Sequence, residues 1–375
     1  MRGLYSLWST EACRHAISAM TDIADSPPSF AANCPVPLTD HPTVQMAHGG
    51  GGRMSQRLIA DVFASAFDNP WLREMHDGAV LEFGGERLAF TTDGHVVKPL
   101  FFPGGDIGAL AVHGTVNDLA VCGALPIALS TSFILEEGYS LEELRRVVAS
   151  MSKAASSIPV PIVTGDTKVV DRGKGDGVFI STAAVGRVHP KAQISPRHAK
   201  PGDVVLLSGE IAAHGIAVLS ARENLGLEGV IASDSASILD LIWPLFDRFE
   251  SNLHVFRDPT RGGVAAVLNE IAMAAQVGIE IDEVAIPVSE PVRGACELLG
   301  LDPLYVANEG KCVAIVDATC ADAVLEYWRS RPLGKMASRL GVVTESHPGV
   351  VTMRSTIGAT RVVDLLSGEQ LPRIC

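Results

Sequence analysis

Aromatic residues are scarce in this 375-residue sequence, 5% against 47% hydrophobic residues in all, so its core must be aliphatic and alanine-rich. None of the seven cysteines, at 13, 34, 122, 296, 312, 320 and 375, forms a Cys-x-x-Cys or sits near paired histidines at zinc spacing. That argues against a disulfide framework or a structural zinc site and fits a reducing cytoplasm. No apolar run approaches the ~20 residues that cross a bilayer, so no membrane span is expected. There is no basic stripe either, and the net charge is −13. Nucleic acid and anionic membrane surfaces are therefore poor partners, although a small local site can still hold a nucleotide. A Walker A loop is missing, because no Gly-Lys-Ser/Thr follows a glycine run at the required spacing.

The length suffices for two domains, and 36 glycines with 22 prolines suit a fold of many short turns. A signal peptide is not expected, since Glu11, Arg14 and His15 interrupt the first apolar stretch. Residues 1–45, proline-rich in their second half, read as a poorly ordered extension or an over-long start. Helical periodicity opens at Leu58, Ile59, Val62, Phe63 and Phe67, with Ser55 as the expected N-cap. Two strands flank Gly84-Gly85, and a helix follows that ends near Gly123. Ser140 and Glu143 make a capping box for a further helix. "VPIVTGDTKVV" reads as a strand breaking into a polar turn, followed by the strand "GVFISTAAVGRV". The polar, proline-bearing stretch at 190–202 suggests a boundary. Beyond it come a strand at "DVVLLSG", helices around 212–225, 235–250 and 263–276, and strands near 279–286 and 312–316. "RLGVVTE" and "GVVTMRS" supply late strands. Strands and helices alternate in both halves, so the expected class is α/β or α+β in two domains of similar size.

Several acids stand at element ends amid glycine and threonine: Asp77, Asp93, Asp106, Asp118 and Asp166, the last with Lys168 two residues on. One such acid is usually a turn former or a helix cap; together they suit a magnesium–phosphate site, because Mg²⁺ takes oxygen ligands and keeps waters. "HGGGGR", holding Gly49, Gly50, Gly51 and Gly52, is equally a linker or a loop whose N–H groups crowd round an anion. In "DPTRGGV", Arg261 can fork two phosphate oxygens while Gly262 and Gly263 offer backbone donors ahead of a helix. His113 and His214 read as packed or surface polar groups rather than ligands. Cys375 ends the sequence. No three residues follow it, so it is not a prenylation box. It is either an incidental terminal residue or a thiol on a tether, and ten extended residues reach at most ~33–36 Å. The neighbouring α-carboxylate disfavours the thiolate, which Arg373 or a partner site would have to offset.

Taken in order, "AHGGGG", "TTDGHVVKPLFFPGGDIGALAVHGTVNDLAVCGA", "FILEEG", "TGDTKVV", "DPTRGG", "LGLDPLYVANEGK" and the terminal "LPRIC" resemble the HypE family of hydrogenase maturation proteins. The resemblance runs from about residue 46 to the last residue. It implies the two-domain, PurM-like ATP-binding fold of the aminoimidazole ribonucleotide synthetase superfamily with a flexible C-terminal tail. The expected parts are an ATP-binding and dimerisation domain over 46–190, a second domain over 191–350 and a tail segment over 351–375. It also implies a carbamoyl dehydratase. A carbamoyltransferase, HypF, loads Cys375; ATP is spent to turn the thiocarbamate into a thiocyanate; and cyanide passes through a HypC–HypD complex to the iron of a [NiFe] hydrogenase. Carried onto this sequence, Cys375, Lys168 and Glu309 are the catalytic positions, with Glu309 as base and Lys168 polarising the oxygen or relaying a proton. The four acids Asp77, Asp93, Asp118 and Asp166 would hold Mg²⁺, and the glycine run, Thr92, Asn117, Thr167, Arg261, Gly262, Gly263 and Asn308 would contact ATP. A terminal thiol can visit several proteins without disturbing the core, and Pro372 would lower the ordering cost of docking it. Two rival readings fit the same residues. A related synthetase or kinase acting on a diffusible small molecule would not need Cys375, and a non-enzymatic thiol carrier would bind no nucleotide.

Overall fold

The computed structural model describes residues 43–375 except positions 228, 369, 370, 372 and 373. The expected extension, apart from its last three residues, and the tail positions Pro372 and Arg373 lie outside the described residues. The described chain opens with helix α1 (Arg53–Leu58), continued by a π-helical stretch over Ile59–Ala64. Gly52 is its N-cap; Ser55 lies within the helix, where its Oγ accepts from the Gly51 N–H and donates to the His48 carbonyl. The helical stripe of Ile59, Val62, Phe63 and Phe67 is 40–63% exposed, so the apolar face that the periodicity announces is not covered by the chain's own described residues.

Strands β1 (Ala79–Phe83) and β2 (Glu86–His95) form the expected hairpin. Gly84 and Gly85 turn it with φ of 60° and 84°, a left-handed pair that glycine adopts without strain. A short ribbon, β3 (Phe101–Phe102) with β4 (Gly105–Asp106), leads into α2 (Ile107–Val121). Asp106 is the N-cap of α2, its Oδ1 accepting from the Gly108 and Ala109 N–H groups, so this acid is a helix cap. Next come β5 (Ala124–Glu136), α3 (Leu141–Ser157) capped by Ser140, β6 (Ile162–Val170) and β7 (Val178–Val188). The five long strands order as β1-β2-β7-β5-β6, and only the β5–β6 pair is parallel. One expectation fails here. "GDTK" is not a turn; β6 runs straight through it, Asp166 opposite Ser132 and Lys168 opposite Ile134. Gly165 is required by contact, since a Cβ there would sit 2.4 Å from the Thr131 carbonyl oxygen.

The second sheet orders as β14-β13-β10-β12-β8-β11-β9. Its strands are β8 (Val204–Leu207), β9 (Leu253–Arg257), β10 (Gly278–Asp282), β11 (Val313–Val316), β12 (Ser338–Thr344), β13 (Val351–Arg354) and β14 (Thr360–Val362). Between β8 and β9 lie α4 (Ala213–Glu223) and two short helices, α5 (Leu239–Ile242) and α6 (Leu245–Phe249), in place of one helix over 235–250. Pro244 interrupts the pair, having no N–H to continue the ladder. Helices α7 (Gly263–Ala275), α8 (Glu290–Leu299) and α9 (Ala321–Arg329) follow. One apolar cluster joins the two sheets, running from Leu110 and Leu119 through Phe246 to Leu206 and Trp328. Trp328 is fully buried and its Nε1 donates to the Leu241 carbonyl at 2.9 Å, so Trp328→Ala would cost roughly 3–5 kcal/mol. A rigid joint of this kind fixes the loops of both halves against each other, and the site is built on those loops.

Candidate active site

Asp77 precedes β1; Thr92 and Asp93 sit on β2; Asp118 lies in the last turn of α2. From the second half, Asp258, Thr260 and Arg261 follow β9, and Glu309 precedes β11. These eight residues and Cys375 line one cleft of about 180 Å³. Carboxylate oxygens of Asp77, Asp118 and Asp258 lie within 4.8 Å of one another. Three acids that close cannot all stay charged without a cation. Burial, then the charges of Asp258, Asp93 and Asp77, push Asp118 well above the ordinary carboxylate range, although Thr91 Oγ1 donates to it at 2.8 Å. Burial and Asp77 push Asp258 up likewise, against Arg257. Asp77 goes the other way: burial raises it, but Arg257, with Nε 2.9 Å from Oδ1, and His76 outweigh that and hold it down. Arg257 also pairs with Glu270 at 2.8 Å.

Glu309 is 3% exposed, and its Oε1 is buried with no hydrogen-bond partner. Burial, then Asp93, Asp258 and Asp234, raise its proton affinity well above the usual range, and Arg261 opposes this. Asp93 and Glu309 meet across Gly114, where a Cβ would stand 3.1 Å from Asp93 Oδ2 and 4.0 Å from Glu309 Oε2. The donor set is all oxygen, crowded and under-compensated, which fits a hard divalent cation such as Mg²⁺. Cys375 reaches this cleft half-buried. Its carboxylate accepts from the Val96 N–H at 3.0 Å, and the carbonyl of Ile374 lies 2.6 Å from His214 Nε2. Burial pushes the Cys375 thiol up to about 12, with Glu309, Asp93 and Asp258 adding to that and Arg261 opposing it.

The structure thus brings together Asp77, Thr92, Asp93, Asp118, Arg261, Glu309 and Cys375. Gly262 and Gly263 start α7 beside Arg261 with φ of 75° and 63°; a Cβ on Gly263 would strike the Leu304 carbonyl at 2.4 Å. Gly51 packs on the Arg261 backbone and Gly52 on the Leu366 carbonyl, with Cβ positions 2.6 and 2.5 Å away, so Gly51 braces the arginine loop and Gly52 the segment at Leu366. Gly49 and Gly50 have no such close neighbour. Asn117 and Asn308 lie outside the lining. Asn117 spends its amide on the backbone of Ala236, Ile238 and Glu309, and Asn308 on that of Ala212, Pro259 and Val306. Both hold the Glu309 loop in place. Asp166, Thr167 and Lys168 are exposed on β6, apart from the cleft, with Lys168 Nζ 2.6 Å from Asp166 Oδ2. Sequence reasoning passed over Asp258 and Thr260, though both stand inside "DPTRGG"; Arg257 and His214 carry no local signal, because their partners come from distant segments.

Comparison with known proteins gives the same outline. The model of the AIR synthase related protein N-terminal domain matches residues 75–188, and that of the C-terminal domain matches residues 200–354. The carbamoyl dehydratase HypE of Cupriavidus necator is 55% identical over 333 residues, 88% of this chain and 95% of that protein. A crystal structure of HypE in complex with ATP aligns with a TM-score of 0.75 at 47% identity, over 89% of this chain and all of that one. A HypE–HypF complex aligns with a TM-score of 0.78 at 48% identity, over 82% of this chain and 99% of that one. No helix of the described residues is long and apolar enough to cross a membrane.

Proposed function

The chain belongs to the HypE family of carbamoyl dehydratases, within the AIR synthase related proteins, and from that membership we propose that it spends ATP to dehydrate an S-carbamoyl group on Cys375 to a thiocyanate. The product supplies cyanide for the iron of a [NiFe] hydrogenase. The observation that carries this reading is the meeting of Cys375 with Glu309 and three crowded aspartates in one cleft.

The chemistry asks for what the cleft holds. The amide oxygen must leave, and hydroxide is a poor leaving group; transfer of the ATP γ-phosphoryl group to that oxygen lets it depart as phosphate, with ADP the other product. The C–O bond breaks, the C–N bond becomes triple, and both N–H protons are lost. Glu309 is the base, its proton affinity raised by burial and neighbouring acids. The free Sγ in the structure stands in for the sulfur of the carbamoyl thioester. Asp77, Asp118 and Asp258 would hold Mg²⁺, with Asp93 beside them; bound there, the ion would supply positive charge to offset that of the phosphates. Arg261 adds a second cation at the cleft.

Burial holds the Cys375 thiol well above its ordinary range, which disfavours the nucleophilic thiolate in this docked position. It takes its carbamoyl group elsewhere, on a HypF-type transferase, and later gives up cyanide to a HypC–HypD-type acceptor. Residues 46–190 and 191–350 serve as the two domains and 351–375 as the delivering segment. The chain works as a homodimer: β6 is an edge strand with Val163 61% and Val169 67% exposed, and Asp166, Thr167 and Lys168 need a second copy to meet a cleft. The five described cysteines are free thiols, in keeping with the cytoplasm. The test is mass spectrometry of the terminal peptide after incubation with the transferase, carbamoyl phosphate and Mg-ATP. A carbamoyl adduct that converts to a species one water lighter is expected. An adduct that persists with ATP present rejects the dehydratase reading.

A further inference from the structure

Ile374 and Cys375 approach the cleft past a histidine that lies outside it. His214 is fully buried in the first turn of α4. Its Nε2 is 2.6 Å from the Ile374 carbonyl oxygen and its Nδ1 is 2.8 Å from Ser233 Oγ. A carbonyl can only accept, so Nε2 carries the proton and Nδ1 accepts from the Ser233 hydroxyl. Burial pushes the imidazole below the ordinary histidine range despite the Asp234 carboxylate, which keeps the ring neutral with this one N–H.

Both halves of the chain hold the ring in that orientation. Phe102 of β3 meets it edge-on at 5.4 Å between ring centroids. The Ser233 N–H donates to the Pro103 carbonyl at 2.7 Å, and Gly104 permits the approach, since a Cβ there would lie 2.6 Å from Ser233 N. Next to His214, Gly215 is required by Val306, whose Cγ1 would lie 2.5 Å from a Cβ there, and Leu371 Cδ1 packs beside it at 3.4 Å, while the Ile374 side chain enters the main core. The tail is thus gripped through one backbone carbonyl and two apolar side chains, and its sulfur points at the acids.

We propose that His214 is a positioning residue for the dehydration, a buried latch whose Nε2–H holds the Ile374 carbonyl so that the Cys375 sulfur is presented to Glu309. This rests on the tail-borne substrate proposed above. His214 touches no residue in the role of nucleotide or metal ligand, so it acts on the seating of the tail and not on ATP. Opening the latch must also precede every visit of Cys375 to a partner, which makes it the contact whose strength sets the division between docked and travelling tail.

The experiment compares His214→Gln, which keeps an N–H donor close to the Nε2 position, with His214→Phe, which keeps a ring and loses the donor. In the full chain alone, alkylation of Cys375 by iodoacetamide, read on the terminal peptide, should be about three- to tenfold faster for H214F and near the natural rate for H214Q. In single turnover after carbamoylation, H214F should form thiocyanate slower by a similar factor, with carbamoyl loading and the Kd for Mg-ATP unchanged and H214Q restored. Natural alkylation and dehydration rates for folded H214F overturn the latch; so does a rate loss shared equally by H214Q. Should H214F fail to fold, the half-buried Ser233→Ala, which releases the ring's tautomer, must still raise alkylation, and an unchanged rate overturns the proposal. Alkylation needs no transferase and no ATP, so a chain that never yields thiocyanate would reject the dehydratase reading while leaving the latch decided on its own.

Discussion

Two acidic regions of this chain look alike in sequence and could hardly differ more in space. "TTDG" with "VND", "DPTRGG" and "NEG" converges from both halves on a buried cleft, where burial and like charges raise the proton affinities of Asp118, Asp258 and Glu309. "GDTK" lies open on an edge strand, where Lys168 and the Thr167 N–H hold Asp166 below its ordinary range. The first arrangement is unfavourable by itself and becomes favourable with a cation and a phosphate group in place; the second is satisfied by its own neighbour and by water. Local motif reading gives an acid the same weight in both places. What separates them is whether distant segments of the chain close over it, and among the described residues none closes over the second region; the homodimer proposed above would supply that closing.

The largest effects follow from breaking one member on each side of this contrast. Glu309→Gln should stall the reaction at the carbamoylated Cys375, with dehydration slower by about 10²–10⁴-fold, the usual worth of a positioned base. Lys168→Ala should stall at the same stage although its side chain is 68% exposed in the chain alone. Mixing the two inactive chains as a refolded dimer should restore about a quarter of the natural rate, because half the dimers then hold one intact composite cleft. A mixture that stays inactive would mean that Lys168 and Glu309 serve the same chain's site or none. Natural thiocyanate formation by either single variant removes its assigned role.

A middle-sized effect tests the electrostatic cost of the cleft. Asp118 binds protons more tightly in the folded chain than in the unfolded one, so it favours the fold below the ordinary aspartate range, and that favour is lost as pH rises through its folded pKa. Asp118→Asn should therefore raise the ligand-free Tm at neutral pH by about 2–4 °C, roughly the equivalent of 1 kcal/mol. The gain should vanish below about pH 4, where the unfolded aspartate also binds its proton. The same variant should lose most of the stabilisation that Mg-ATP gives the natural chain. A lower ligand-free Tm would show that Asp118 is a structural anion held by Thr91 and not an under-compensated site acid.

How much of this was legible beforehand divides along the same line. The hairpin at Gly84-Gly85, the cap at Ser140 and the alternation of strands and helices depend on neighbours in sequence, and the composition of each segment announces them. The motif acids Asp77, Asp93 and Asp118 were legible for the same reason. "GDTK" was misread as a turn because Gly165 serves a close approach to Thr131 across the parallel pair with β5, a contact invisible from composition. The family resemblance casts Asn117 and Asn308 as ATP contacts, yet all their side-chain hydrogen bonds go to backbone, and all but the one from Asn308 to Val306 reach remote positions. His214 and Arg257 owe their places at the site to partners more than a hundred residues away, Ile374 and Asp77, while nearer ones, Ser233 and Glu270, hold their second sides. The helical stripe at Val62, Phe63 and Phe67 was legible as a pattern, but the pattern does not say what covers it.

The smallest expected effect is the sharpest control on the contrast. Asp166 and Lys168 form an exposed ion pair two residues apart on one strand, 61% and 68% exposed, and pairs of that kind are screened and entropically costly. Asp166→Asn should move the Tm of the ligand-free chain by no more than about 1 °C, whereas its acid counterpart in the cleft moves it measurably. The depressed pKa of Asp166 means that whatever its charge contributes is present above the ordinary aspartate range and lost as pH falls through the folded pKa, opposite in sign to Asp118. If Asp166 serves a cleft only through a second copy, Asp166→Asn should weaken Mg-ATP binding in the dimer while leaving it unaltered in a monomeric variant carrying Val163→Lys on the same edge. Equal weakening in both forms would place Asp166 within reach of its own chain's acids and end the distinction between the two regions.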